Sequence, residues 1–162
     1  MQGKTQDAPL SAQGMRIRRL DIRDHADAVD LWERSVRATH DFLHPSDIEE
    51  LRPLVAQELR IPSIGWWLLQ QREGRPCALL AESAGTIEGL FVDPAMLRRG
   101  MGTMLVEHVR SVYPGDLRVD VNEQNQRAVR FYRALGFQPF SRSETDEEDR
   151  PFPVLHMLRS AR

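Results

Sequence analysis

Leu90-Phe91-Val92-Asp93-Pro94-Ala95-Met96-Leu97-Arg98-Arg99-Gly100-Met101-Gly102-Thr103, the middle of a stretch running from Thr86 to Tyr113, decides the fold. Its apolar start fits a buried strand that stops at Pro94, which cannot donate to a ladder. A glycine-containing turn follows and opens into Met104-Leu105-Val106-Glu107-His108-Val109, a good helix. The order strand, glycine loop, helix leaves the first helical N–H groups unpaired and aimed at the loop. The positive end of the helix dipole adds to them, so an anionic phosphate is the natural guest. Arg98 and Arg99 bring mobile positive charge to the same place.

What the loop lacks narrows it. No Lys-Ser or Lys-Thr follows the glycines, so it is not a Walker loop. The spacing Gly100-x-Gly102, without a third glycine and a later ribose-binding acid, is not a dinucleotide fingerprint. Taken alone, Gly100-Met101-Gly102 also fits a tight turn with solvated arginines. A second stretch separates the two readings. Residues 119–137 contain Asn125, a favoured N-cap, and Gly136, a favoured C-terminal stop, with about three helical turns between them. On that helix Asn125, Ala128 or Val129, and Tyr132 share a face, and the small Ala128 leaves room for something to lie against it.

Together the two stretches resemble the two signatures of the GNAT superfamily of N-acetyltransferases. The loop is similar to Arg/Gln-x-x-Gly-x-Gly/Ala after a strand ending in Val-Asp/Glu-Pro, with one departure: Leu97 stands where the family has Arg or Gln. The helix matches Asn-x-x-Ala-x-x-Phe-Tyr-x-x-x-Gly-Phe at every element, from Asn125 to Phe137. The resemblance implies that acetyl-CoA is the cosubstrate. Its pyrophosphate would be held by the amides of Arg98, Arg99, Gly100, Met101, Gly102 and Thr103. Its pantetheine arm would lie along the backbone of Leu90, Phe91 and Val92 and touch Asn125. Tyr132 would be the proton donor to the departing thiolate. Glu88, on the strand that runs into the loop at a position where many members carry Glu, is the candidate base, with a strand residue pointing to solvent or paired with an arginine as the alternative.

The whole chain agrees with one globular domain. Its 162 residues fit a single domain with a sizeable core, and 41% hydrophobic with 28% charged residues is ordinary globular composition. A net charge of −2 gives no general attraction to nucleic acid or acidic lipid, and the arginines are dispersed. The lone Cys77 allows no intrachain disulfide and points to a reducing compartment. No apolar run approaches the roughly 20 residues of a membrane span. The expectations are therefore a cytoplasmic protein, monomer or homodimer, with no nucleic-acid or membrane partner. Residues 1–14 have no periodicity and read as a flexible tail, and the domain is expected over 15–162.

Along that domain, Met15–Leu20 alternates like a half-buried strand, and Asp24 is a plausible cap for the helix after it. Ala28, Val29, Leu31, Trp32, Ser35, Val36 and Thr39 form its core-facing stripe, and it should end near 38–41. The run His40-Asp41-Phe42-Leu43-His44-Pro45 is unusual. Two histidines without further ligands at metal spacing are weak grounds for zinc, and no metal site is expected. Ser46 and Glu49 read as a capping box for a second helix with Ile48, Leu51, Leu54, Val55 and Leu59 inward, divided at Pro53. Strands are expected at 66–71 and 76–81 about a hairpin turn at 72–75, at 117–121, and as a closing pair at 137–142 and 152–158. The loop Ser143–Arg150 is acidic; it reads as a solvated loop or as an attractor of a cationic acceptor.

Strand, two helices, three strands, helix, strand, helix, two strands is the order of the GNAT fold, an α/β (α+β) fold. The resemblance implies a mixed, mainly antiparallel sheet with helices on both faces. It places His40, Phe42 and Asn122 on the acceptor side. Trp32–Leu43 and Val121–Asn125 further resemble the small bacterial YjaB-type members, acetyltransferases of peptidyl-lysine or general amines. The acceptor would be a protein lysine or a small amine, attacking directly in a ternary complex. A non-catalytic acyl-CoA sensor of the same fold is the alternative. It would have no use for Tyr132 or Glu88.

Overall fold

The structure, a computed structural model, describes residues 14–72 and 74–161. The tail expected over 1–14 lies, Gly14 apart, outside the described residues, as does Glu73 of the expected hairpin turn. In chain order the elements are β1 (Arg16–Arg19), α1 (His25–Thr39), α2 (Pro45–Glu58), β2 (Gly65–Gln70), β3 (Pro76–Ser83) and β4 (Thr86–Val92). Then come α3 (Met101–Val112), β5 (Leu117–Asn122), α4 (Gln126–Ala134), β6 (Gln138–Ser143) and β7 (Val154–Arg159). Single 3-10 turns stand at Ile22–Asp24 and Pro94–Met96. The strands form one seven-stranded sheet in the order β1-β2-β3-β4-β5-β7-β6. This is the element order read from the sequence. No described helix is long and apolar enough to cross a membrane.

The chain divides into two compact units, one reaching to Ala81 and taking in Gly89–Val109, the other made of Glu82–Glu88 and the chain from Arg110 on. In the first unit β1 runs antiparallel to β2, with Ile17 opposite Leu69. Trp66–Gln70 and Cys77–Ala81 are buried without alternation, as in strands covered on both faces. On α1 the stripe is buried as expected from Ala28 to Val36. Ala28, Val29 and Leu31 join Leu68, Leu79 and Ala81 in one cluster, and Trp32 and Val36 join Ile48 and Val55 of α2 in another. Burying each such side chain is worth roughly 1.5–3 kcal/mol, so Leu31→Ala should cost about 2–5 kcal/mol.

Four local expectations are corrected by the structure. Asp24 takes the N-cap position of α1 but makes no side-chain capping bond, because its carboxylate is already engaged by the Asp21 N–H and by Arg18. The Ser46/Glu49 box is replaced by an earlier start. Pro45, preset for the first helical position, begins α2, and the Asp47 carboxylate accepts the His44 N–H at 2.9 Å. Pro53 does not divide α2, which runs unbroken to Glu58. Pro53 faces solvent, so the Glu49 carbonyl that loses its helical partner can turn to water. Leu54 beside it is 51% exposed, not inward.

In the second unit β4 opens parallel to β5 for two pairs, Thr86 with Arg118 and Ile87 with Val119. The longer ladder is antiparallel, β5 with β7 from Leu117 opposite Arg159 to Asn122 opposite Val154. On β5 Leu117, Val119 and Val121 are buried while Arg118 and Asp120 are exposed, which fixes its register against a one-residue slip. At the sheet edge β6 is almost wholly exposed and carries Pro139 and an irregularity between Pro139 and Ser141, features that discourage another strand from pairing there.

Candidate active site

The glycine loop of the first unit is built from its strand end. Asp93 donates its N–H to the Cys77 carbonyl at 2.8 Å, closing β4 against β3. Its carboxylate accepts the Ala95 N–H at 3.0 Å and pairs with Arg34 of α1 at 3.2 Å, so the turn Pro94–Met96 is held at its start. After Leu97 the chain turns through two left-handed residues, Arg98 at φ 62° and Gly100 at φ 81°. A side chain at Gly100 would meet nothing within 4 Å. Glycine is favoured there by backbone conformation, not by space. The Met104 N–H donates to Gly100 O, which makes Gly100 the residue before α3. The N–H groups of Met101, Gly102 and Thr103 precede any intrahelical acceptor, and among the described residues no side chain caps them. Arg98 and Arg99 are exposed beside them.

On the strand before the loop, Leu90, Phe91 and Val92 are half-buried. Phe91 packs against both apolar clusters, and Gly89 makes room for it: a Cβ there would lie 2.7 Å from the Phe91 ring. The Val92 N–H is not idle. It donates to Ser35 Oγ at 3.2 Å, and Ser35 is a buried polar side chain in the apolar stripe of α1. Sequence reading counted Ser35 only as part of that stripe. Its polarity in a buried helical position was the available signal. In the same unit His40 ends α1, with Nδ1 2.8 Å from Thr39 Oγ1 and its ring 5.3 Å from that of Phe42. Burial lowers the tendency of His40 to take up a proton.

The second unit holds Tyr132, Asn125, Asn122 and Glu88. The Asn125 Oδ1 accepts the Ala128 N–H at 3.1 Å, which caps α4 and leaves the Asn125 amide NH₂ outside that bond. Asn122 uses its side-chain oxygen on the Gln124 N–H at 2.9 Å, shaping the turn from β5 into α4. The end of α4 explains why the Tyr-x-x-x-Gly-Phe spacing matters. Gly136 takes φ 91°, its N–H reaches Arg133 O, and the Phe137 N–H reaches Tyr132 O at 3.0 Å. That pair of bonds is a Schellman stop, and its accompanying apolar contact is present: the Phe137 and Tyr132 rings meet edge-on at 5.3 Å. The stop therefore clamps Tyr132. Tyr132 is 6% exposed, and its hydroxyl makes no hydrogen bond among the described residues. Burial pushes its phenol well above the usual value, so at neutral pH it keeps its proton. Glu88 is an exposed residue of β4.

Among the described residues no cluster of His, Cys, Asp and Glu is placed to hold a metal ion.

Comparison with known proteins bears on both stretches at once. The model of the acetyltransferase (GNAT) family matches residues 31–137. The peptidyl-lysine N-acetyltransferase YjaB of Salmonella typhimurium is 37% identical over 144 residues, 89% of this chain and 97% of that protein. The protein of the same name from Escherichia coli is 38% identical over 87% of this chain and 94% of its own. The solution structure of the apo form of Escherichia coli YjaB superimposes with a TM-score of 0.78 at 36% identity, covering 89% of this chain and 96% of that one.

Proposed function

Because the chain belongs to the acetyltransferase (GNAT) family, we propose that it moves an acetyl group from acetyl-CoA to a primary amine, foremost a protein lysine, by direct attack in a ternary complex. The observation that carries this reading is the start of α3. There three backbone donors without a side-chain cap, a left-handed glycine and two exposed arginines converge on one loop. A pyrophosphate supplies the acceptor atoms and negative charge that this arrangement lacks. Leu97 in the family's Arg/Gln position removes a side-chain contact and leaves the backbone donors in place.

The resemblance has the pantetheine arm run along Leu90–Val92 and touch Asn125. A carbonyl of the arm or thioester that uses the Val92 N–H must share it with Ser35 Oγ or displace it. As the thioester oxygen becomes anionic, such an N–H donor holds it more strongly than in the ground state. Tyr132, neutral at working pH, would hydrogen-bond the departing sulfur. Surroundings that disfavour phenolate also disfavour thiolate, so the proton passes to sulfur as the C–S bond breaks. The lysine ammonium must lose a proton first. With a pKa of about 10.4, only roughly one amine in 2,500 is neutral at pH 7, a deficit large enough to require a base. Glu88, acting through a water, is the base that the resemblance offers.

The reading is tested with acetyl-CoA, a panel of lysine peptides, N-terminal peptides and polyamines, and a thiol-release assay. Turnover on lysine peptides is expected. Coenzyme binding by calorimetry without transfer to any amine would instead favour the sensor.

A further inference from the structure

A second hydrogen-bonded chain of chemically active side chains lies in the β5, β7 and β6 part of the second unit. His156 Nδ1 is 2.7 Å from Asp120 Oδ1, and His156 Nε2 is 2.7 Å from Ser143 Oγ. Asp120 stands directly opposite His156 in the ladder, on the exposed alternation of β5, and the irregularity of β6 after Pro139 brings Ser143 within reach from the other side. An ionised Asp120 requires a proton on Nδ1, so Nε2 is the acceptor and the Ser143 hydroxyl donates to it. A polarised oxygen backed by an unprotonated imidazole results. The other charged groups on the flanking strands are Arg118 of β5 and Arg142 of β6. Arg142 is paired with Glu123 at 2.6 Å.

Ser143 is also where the acidic loop departs. Asp146 is folded back onto Arg150 at 2.8 Å, and Glu144, 90% exposed, lies 3.4 Å from Arg142. A cationic group drawn to this loop arrives at the serine end of the chain.

We propose that Asp120, His156 and Ser143 form a proton relay that neutralises a cationic primary amine, a lysine side chain or a polyamine, gathered by the loop 144–149. The proposal rests on the acetyl-transfer reading and names its base. The ammonium N–H bond breaks as its proton passes to Ser143 Oγ, while the serine's own proton passes to His156 Nε2. The amine becomes neutral, the imidazole becomes imidazolium, and Asp120 faces the new charge. Asp120 is a positioning residue, fixing the tautomer that lets Nε2 accept.

The test compares wild type with His156→Gln, Ser143→Ala and the nearly isosteric Asp120→Asn on primary amines of graded basicity, with melting temperatures as a check on folding. For lysine peptides kcat should fall about 100-fold in His156→Gln, with KM for acetyl-CoA unchanged. The loss should shrink to a few-fold for an amine already neutral at the assay pH. An equal loss across the amine series would mark a purely structural network and overturn the relay. So would unchanged kcat, or a basicity-dependent loss found in Glu88→Gln and absent from His156→Gln. A wild type that transfers acetyl to no amine would overturn the transfer reading itself, and the relay with it.

Discussion

The two helices that carry the family signatures begin in opposite ways. At α4 a side chain closes the start: the Asn125 Oδ1 takes the Ala128 N–H. At α3 a glycine in a left-handed conformation precedes the helix, and among the described residues no side chain takes the first amides. An Asn cap contributes about 1 kcal/mol, so a start that forgoes one is less stable by that much unless something else binds there. On the proposed function, the difference separates a binding end from a scaffold end. The start of α3 is left open to an anion, while α4 is fixed at both ends, by Asn125 and by the Gly136 stop, so that Tyr132 is held in place.

Breaking the comparison at its chemical end should give the largest effect. Tyr132→Phe removes the donor and keeps the ring against Phe137. Turnover should fall about 100-fold or more, with coenzyme affinity by calorimetry little changed; an unaltered rate would remove Tyr132 from the mechanism. At the α3 start, Gly100→Asp keeps a residue that tolerates a left-handed φ but places a negative charge among the amides. Coenzyme affinity should drop about tenfold or more, whereas Gly100→Asn should bind nearly as well as wild type. Equal affinities for the two variants would mean that no anion sits there.

At the α4 stop, Gly136→Ala forces an L side chain to φ 91°. It should cost about 1–2 kcal/mol in chemical denaturation and lower kcat more than coenzyme affinity, because Tyr132 is what the stop clamps. At the α4 start, Asn125→Ala should cost about 1 kcal/mol, and Asn125→Ser should restore stability while leaving coenzyme binding weakened, since serine caps but has no amide NH₂. The smallest expected effect is an absence. The ordinary phenol value is 10.0, and burial raises that of Tyr132. The protonated, active form therefore persists through pH 10, and the pH–rate profile should show no descending limb there. A limb at that pH that vanishes in Tyr132→Phe would contradict the burial argument.

Much of this was legible in the sequence because punctuation residues carry it. Pro94, Gly100, Asn125 and Gly136 each do one conformational job, and the elements they delimit fall where expected. The second helix was misread at Ser46 because a proline at the first helical position overrides a capping box one step later. It was misread at Pro53 because a solvent-facing proline bends a helix less than it breaks one. Ser35 showed only its polarity in an apolar stripe, and neither its bond to the Val92 N–H nor the chain Asp120–His156–Ser143 was legible. They join residues 57, 36 and 13 positions apart, and their pairing is set by strand register and by one irregularity in β6, which no local pattern encodes.

The central claim is that a diphosphate binds the amides at the start of α3. The direct measurement is an amide-resolved NMR titration of the full chain with coenzyme A and, separately, with acetyl-pantetheine, which lacks the diphosphate. The account predicts that Met101, Gly102 and Thr103 shift strongly with coenzyme A and hardly at all with acetyl-pantetheine. Shifts of equal size with both, or none with coenzyme A at saturating concentration, would contradict it.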